Sequence, residues 1–413
     1  VTRFTDFDVK SLDANGTAVV FEQGGWVHEL DPATGRARRL AITVVGDFPT
    51  MQPQWKDVSG RVTNLALSPT GRRAAVEARG DVFTIPAEKG DPRNLTRSSA
   101  SAERSPAWSP DGRSVAYFGD RSGEYRLYIA PQDGMGEPRE IALPEPSFYY
   151  TPTWSPDGKR LALHDTHLRL WTVDVASGRA RVVDTDAWMV PERSLNPTWS
   201  PDSRWLAYSK QLPSLMRAIF VHDVESGQSR QVTDGLADAS WPAWDASGKY
   251  LWFLASTNRA LGAGWLDMTS YDRPVTRALY VAVLARGEPT PFLPESDEEG
   301  ATAARDTTRA PRMAAVATDS ARRSDSTAAR TAQRNTRIDF DGLHQRILAV
   351  PNLALRDYAQ LRAGPAGTVF LLEAVPTTGT SAPQGPQAGT LHRFQLRERR
   401  AAPFAQNVAQ YVV

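Results

Sequence analysis

The chain has six histidines and no cysteine, so its chemistry would have to come from carboxylates, hydroxyls and imidazoles. The one close histidine pair is His164-Asp165-Thr166-His167. Its residue types suit half of a metal site. On a strand, however, residues three apart face opposite sides, so the two rings cannot share an ion and read as blade-edge residues. His28, His222, His344 and His392 are isolated. No Gly-x-Ser-x-Gly elbow is present, which removes the local mark of an esterase-type nucleophile. The acidic run Glu295-Ser296-Asp297-Glu298-Glu299 lacks the spaced ligands and central glycine of a calcium loop and reads as a solvated linker. No catalytic residue, metal ligand or cofactor is expected. One segment stands out as a binding surface: the stretch from about Ser256 to Thr276 carries Trp265, Tyr271 and Asp272. It interrupts a single repeat, and one-sided insertions of this kind are where repeat proteins bind.

The elements that would position such residues are set by a repeat. Trp-Ser-Pro-Asp-Gly stands at Trp108–Gly112 and at Trp154–Gly158, with variants from Trp199 and Trp244, at steps of 46, 45 and 45 residues. In the Ser-Pro-Asp-Gly turn, proline presets φ, aspartate tolerates the next position and glycine closes it. An alternating run follows each turn, as in Ser114-Val115-Ala116-Tyr117-Phe118. A third strand, a glycine turn and a short fourth strand complete each unit. Four short strands at this period make one blade of a propeller. The period decays upstream through Leu67-Ser68-Pro69-Thr70-Gly71 to Leu12-Asp13-Ala14-Asn15-Gly16. The fold expected is all-β, a β-propeller of about six or seven four-stranded blades beginning near Asp6, Thr63, Ser105, Thr151, Asn196, Ala239 and Ile338. The blade near Asp6 either closes this ring or is left from a preceding propeller. The four repeated tryptophans, in identical places, read as packing between blades.

Composition is that of an ordinary water-soluble chain: 413 residues, 41% hydrophobic, 23% charged and a formal charge of +1. There is no basic excess to suggest nucleic acid, and no run reaches the ~18 apolar residues of a membrane span. The stretch 300–335 is rich in Ala, Arg, Thr and Ser with almost nothing large to bury, and is expected to be a disordered excursion between neighbouring blades. The chain opens at Val1 without methionine, and both ends read as cut from something longer.

The order of these features resembles a family. Phe4-Thr5-Asp6-Phe7-Asp8-Val9 precedes the first degenerate blade, and Ala78-Arg79-Gly80-Asp81-Val82-Phe83-Thr84-Ile85-Pro86 precedes Arg93-Asn94-Leu95-Thr96. The Trp108 repeat, Ser122-Gly123-Glu124-Tyr125, the Glu295 run and Ile338-Asp339-Phe340-Asp341-Gly342-Leu343 follow in turn. Together they resemble the propeller region of tricorn-type serine proteases. The resemblance implies a degenerate blade over 1–45 from the end of a first propeller and a linker over 46–62. It implies most of a second propeller over 63–413, with its last blade incomplete. It also implies a non-catalytic role, filtering peptides or unfolded polypeptide toward PDZ-like and protease domains beyond Val413, with oligomer formation left open. It implies a cytoplasmic location, whereas a signal peptide ahead of Val1 would make the chain periplasmic. Two other readings share the repeat: a TolB-like propeller that binds protein partners without protease activity, and an accessory propeller on another hydrolase.

Overall fold

A computed structural model describes residues 2–52, 54–98, 100–187, 195–259, 275–293, 335–373 and 388–413. Among these residues there is no α-helix, only short 3-10 turns at Pro49–Met51, Ser59–Arg61 and Leu343–Arg346. The rest is seven four-stranded antiparallel sheets in which spatial order follows chain order. The chain divides into two compact units, Val1–Asp57 and Val58–Val413. The first holds one sheet, Val9–Ala14, Val19–Gln23, Trp26–Asp31 and Arg36–Arg39. The second holds six, here called blades one to six. Their inner strands are Val62–Leu67, Glu103–Trp108, Tyr149–Trp154, Leu195–Trp199, Asp238–Trp244 and Tyr358–Ala363. Each inner strand neighbours the next. The architecture is the expected propeller.

The turn chemistry repeats atom for atom. The Ser109 carbonyl accepts from Gly112 N at 2.9 Å, and the Ser109 hydroxyl donates to Asp111 at 2.6 Å while accepting from Ser114 N at 2.9 Å. Ser155 and Asp157 do the same, at 2.8, 2.6 and 2.9 Å. Gly112 and Gly158 sit at φ 71° and 70°, which costs a side chain about 1–2 kcal/mol. Nothing else opposes a side chain at Gly158, because an added Cβ would meet only Pro110 at 3.9 Å. Gly158→Val is therefore expected to lower stability by ~1–3 kcal/mol through backbone strain alone, read as a shift in denaturation midpoint. The third repeat shows how a side chain can be accommodated. Ser203 holds φ 63° there, and its hydroxyl accepts from Asp157 N of the preceding blade at 3.0 Å.

Five hydrophobic clusters lie between successive blades rather than within one. Val82 and Ala75 of blade one meet Trp108, Val115 and Tyr117 of blade two. Blade two meets blade three through Phe118, Leu127, Leu161 and Leu163. Later interfaces are centred on Trp199 and Tyr208, on Trp244 and Phe253, and on Trp252 and Phe394. Three of the four repeated indoles also reach back one blade. Trp154, Trp199 and Trp244 Nε1 donate to the carbonyls of Ala107, Thr153 and Thr198 at 3.1, 3.0 and 3.0 Å. The join of blades one and two differs: Leu65 and Leu67 of blade one, on the face turned away from blade two, are exposed, and Trp108 Nε1 of blade two is buried without a hydrogen bond.

Three expectations need correction. The run from Ile338 does not open a blade. Ile338, Phe340 and Leu343 pack into the interface of blades four and five, with the Phe340 ring 5.8 Å from Trp205. The short strand that follows, Ile347–Ala349, is the fourth strand of blade five, and the last blade begins at Tyr358. Alternation in Ile338-Asp339-Phe340 mimics a strand, but its apolar side chains fill a gap beside a sheet instead of extending one. The excursion therefore interrupts blade five, between Ala278–Val283 and Ile347–Ala349, not the boundary between blades. Its expected disorder over 300–335 lies almost wholly outside the described residues. The last blade is complete, closed by Arg400–Val408.

Candidate functional site

The inner strands carry a second repeat beneath the turn repeat. A proline stands two residues before each tryptophan, at Pro106, Pro152, Pro197 and Pro242. Proline offers no N–H to a neighbouring strand and is tolerated in a sheet at edges and bulges. Here it marks a bulge each time. Ser105-Pro106 lies opposite Tyr117 alone, Thr151-Pro152 opposite Leu163, Asn196-Pro197 opposite Tyr208 and Trp241-Pro242 opposite Phe253. Blade six repeats this with Gln360-Leu361 opposite Leu371. The first residue of each bulge has positive φ: Ser105 53°, Thr151 38°, Asn196 41°, Trp241 56° and Gln360 51°. For threonine and tryptophan this region is strongly disfavoured, at ~1–3 kcal/mol each. A bulge re-aims the side chain at its kink.

What the bulges surround is a cavity of about 250 Å³. Inner strands of blades three to six line it, through Thr151, Thr153, Asn196, Thr198, Trp241, Leu361 and Arg362. Its wall combines hydroxyl, carboxamide and indole groups with proline and aliphatic side chains. Among the described residues, Arg362 is the sole Asp, Glu, Lys or Arg in that lining. His164 also lines the cavity, almost fully buried, with its ring stacked on Tyr150 at 5.2 Å. Val413 also lines the cavity. The segment leading to it is held through main-chain groups. Gln360 Nε2 donates to the Ala409 carbonyl at 3.2 Å, and the Tyr411 hydroxyl donates to the carbonyls of Gln360 and, at 2.8 Å, Phe370. Burial raises the Tyr411 phenol above its ordinary range, so it remains a donor. Arg104 of blade two is buried under aromatic rings, with its guanidinium carbon 3.4 Å from the Phe148 ring centre and 4.6 Å from that of Tyr125. Burial lowers its pKa.

The residues singled out from sequence are not those the structure brings together. Trp265, Tyr271 and Asp272 lie outside the described residues, as does the Glu295 run. His164 and His167 part company: His164 is in a buried strand, while His167 follows it in a turn, 3.4 Å from the Ser147 hydroxyl. The His222 ring lies 2.9 Å from the Ser229 hydroxyl, on the outer strands of blade four, and burial lowers its pKa. No carboxylate hydrogen-bonds the ring of His167 or His222 among the described residues, and neither lines the cavity. Sequence reasoning missed Thr151, Asn196, Trp241 and Arg362. The proline two places before each tryptophan was the signal that could have found the first three.

Residues 62–413 match the family described as the Tricorn protease second beta propeller domain. A Tricorn protease homolog of Saccharolobus solfataricus is 23% identical over 99% of this chain, and Tricorn protease homolog 1 of Streptomyces coelicolor is 27% identical over 95%. The chain spans 34% and 36% of those relatives' lengths. A crystal structure of the tricorn protease superposes over 99% of this chain and 36% of its own, with a TM-score of 0.62 at 18% identity, which is likeness of fold. With the family's match running over six consecutive blades, the chain belongs to the tricorn protease second β-propeller family.

Proposed function

We propose that this chain is a non-catalytic propeller region of a tricorn-like serine protease, and that its channel passes extended peptides toward a protease core carried elsewhere in the parent protein. One observation supports this most: the inner strands of four successive blades face one cavity of about 250 Å³, walled by Thr151, Asn196, Trp241 and Arg362. A channel walled by strand edges admits an extended strand and turns away a folded domain. The partners proposed are peptides or unfolded polypeptide, with PDZ-like and protease domains of the parent. The sheet within Val1–Asp57 is read as the last blade of a preceding propeller. It carries the same kind of bulge, with Ser11 at φ 48°.

The purified chain is expected to show no turnover of fluorogenic peptides, with or without a serine-reactive phosphonate. Turnover abolished by the phosphonate, with a serine of this chain labelled, would overturn the proposal.

A further inference from the structure

We propose that Thr151, Asn196 and Trp241, with Arg362 beside them, form a selective collar that holds a passing peptide by its main chain and disfavours basic residues. The inference rests on reading the channel as a peptide route and adds a specificity to it. Three features carry it. First, three different blades hold unlike side chains in the same strained backbone conformation, at φ 38°, 41° and 56°, and all three line one cavity. Thr151 is exposed at the wall and Asn196 is half-buried, while Trp241 also packs against the cluster between blades five and six. The same bulge recurs at Ser105 and Gln360, which do not line the cavity, so the angle belongs to the blade repeat and the cavity wall uses three of the side chains it re-aims.

Second, the chemistry suits a peptide backbone. A threonine hydroxyl and an asparagine carboxamide each both donate and accept, as the N–H and C=O of a peptide require, while the Trp241 indole offers a flat face to an aliphatic or aromatic side chain. Third, Arg362 supplies the lining's one charged side chain of the Asp, Glu, Lys and Arg types. Arg362 is solvent-exposed, and a guanidinium in the lining attracts a carboxylate and repels an ammonium even when partly screened. The ligand class is therefore an extended peptide whose residues at the collar are apolar or acidic.

The test uses the full 413-residue chain and three fluorescent heptapeptides that differ only in a central Glu, Leu or Lys, followed by anisotropy. The Lys peptide is expected to bind about tenfold more weakly than the Glu peptide. Arg362→Gln should bring that ratio close to one and leave the Leu peptide nearly unchanged. Trp241→Gly relieves the backbone strain and removes the indole, and should weaken all three peptides about tenfold or more, with Trp241→Phe restoring most of the loss. Thermal melts accompany each variant. If Trp241→Gly fails to fold, Trp241→Phe and Arg362→Gln still decide the matter. Peptides that bind with a Glu-to-Lys ratio unmoved by Arg362→Gln would overturn the collar and leave the channel reading standing. Failure of all three peptides to bind the unaltered chain would overturn both.

Discussion

Asp238→Ala is expected to destabilise the six-blade unit by about 3–5 kcal/mol, the cost of leaving a buried ion pair without one partner. Asp238 opens blade five and its side chain is fully buried. Arg217 of blade four grips it with two nitrogens, at 2.9 and 2.6 Å, and also donates its main-chain N–H at 3.0 Å. Arg259 adds a second guanidinium at 3.3 Å. Removing the carboxylate leaves two cations facing each other at the join between blades. Asp341, whose side chain is 93% exposed, is the control, and its replacement by alanine should stay within about 0.5 kcal/mol. The same pair sets a pH dependence. Burial alone would raise the Asp238 carboxyl, but the hydrogen bonds and charge of Arg217, with the charge of Arg259, hold it below the ordinary carboxylate value. Its contribution is therefore complete above the unfolded carboxylate pKa and is lost as pH falls through the depressed folded value. Denaturation midpoints taken downward from neutral pH should fall less steeply in Asp238→Asn than in the parent chain. Parallel curves would show that Asp238 is not the acid-sensitive tie.

Trp244→Ala should cost about 3–5 kcal/mol, as removal of a buried large aromatic does. Trp244 is 4% exposed and packs with Phe253, Leu251 and Trp205 across the interface of blades four and five. The substitution opens a cavity between blades and strips the Thr198 carbonyl of its indole donor. Trp244→Phe separates the two effects, since it keeps most of the volume and loses the donor, for roughly 1 kcal/mol. Trp154 is only half-buried, so Trp154→Ala should cost less than Trp244→Ala in the same denaturation series. An equal cost for the two would mean that burial does not set the scale.

These ties were unequally visible in the sequence. The blades could be read because a turn such as Ser109-Pro110-Asp111-Gly112 is local: its hydrogen bonds close within a few residues, and the pattern that makes them is contiguous. The repeated tryptophans could be placed between blades because their spacing is constant. The boundary of blade six was misread because alternation at Ile338-Asp339-Phe340 reports two-sidedness, not pairing, and the strand it serves, Ile347–Ala349, contributes only three residues. Asp238 and Arg217 belong to different blades, and nothing local marks them as partners. The channel wall was overlooked for another reason. Thr151, Asn196 and Trp241 differ in type, so a search for repeated chemistry passes over them. What repeats is their backbone angle, and the only trace of that in the sequence is the proline that follows.

The direction of the indole hydrogen bonds bears on how the molecule is made. Trp154, Trp199 and Trp244 each reach toward the amino terminus, to carbonyls 47, 46 and 46 residues earlier. A blade leaving the ribosome therefore finds its acceptor already synthesised and never waits for chain still to come. Each closure spans about one blade, so the entropy of loop formation stays the same however long the protein grows. Assembly can proceed as a ratchet from blade two onward. Traction on the carboxyl terminus would reverse that order and release the blades singly, last first.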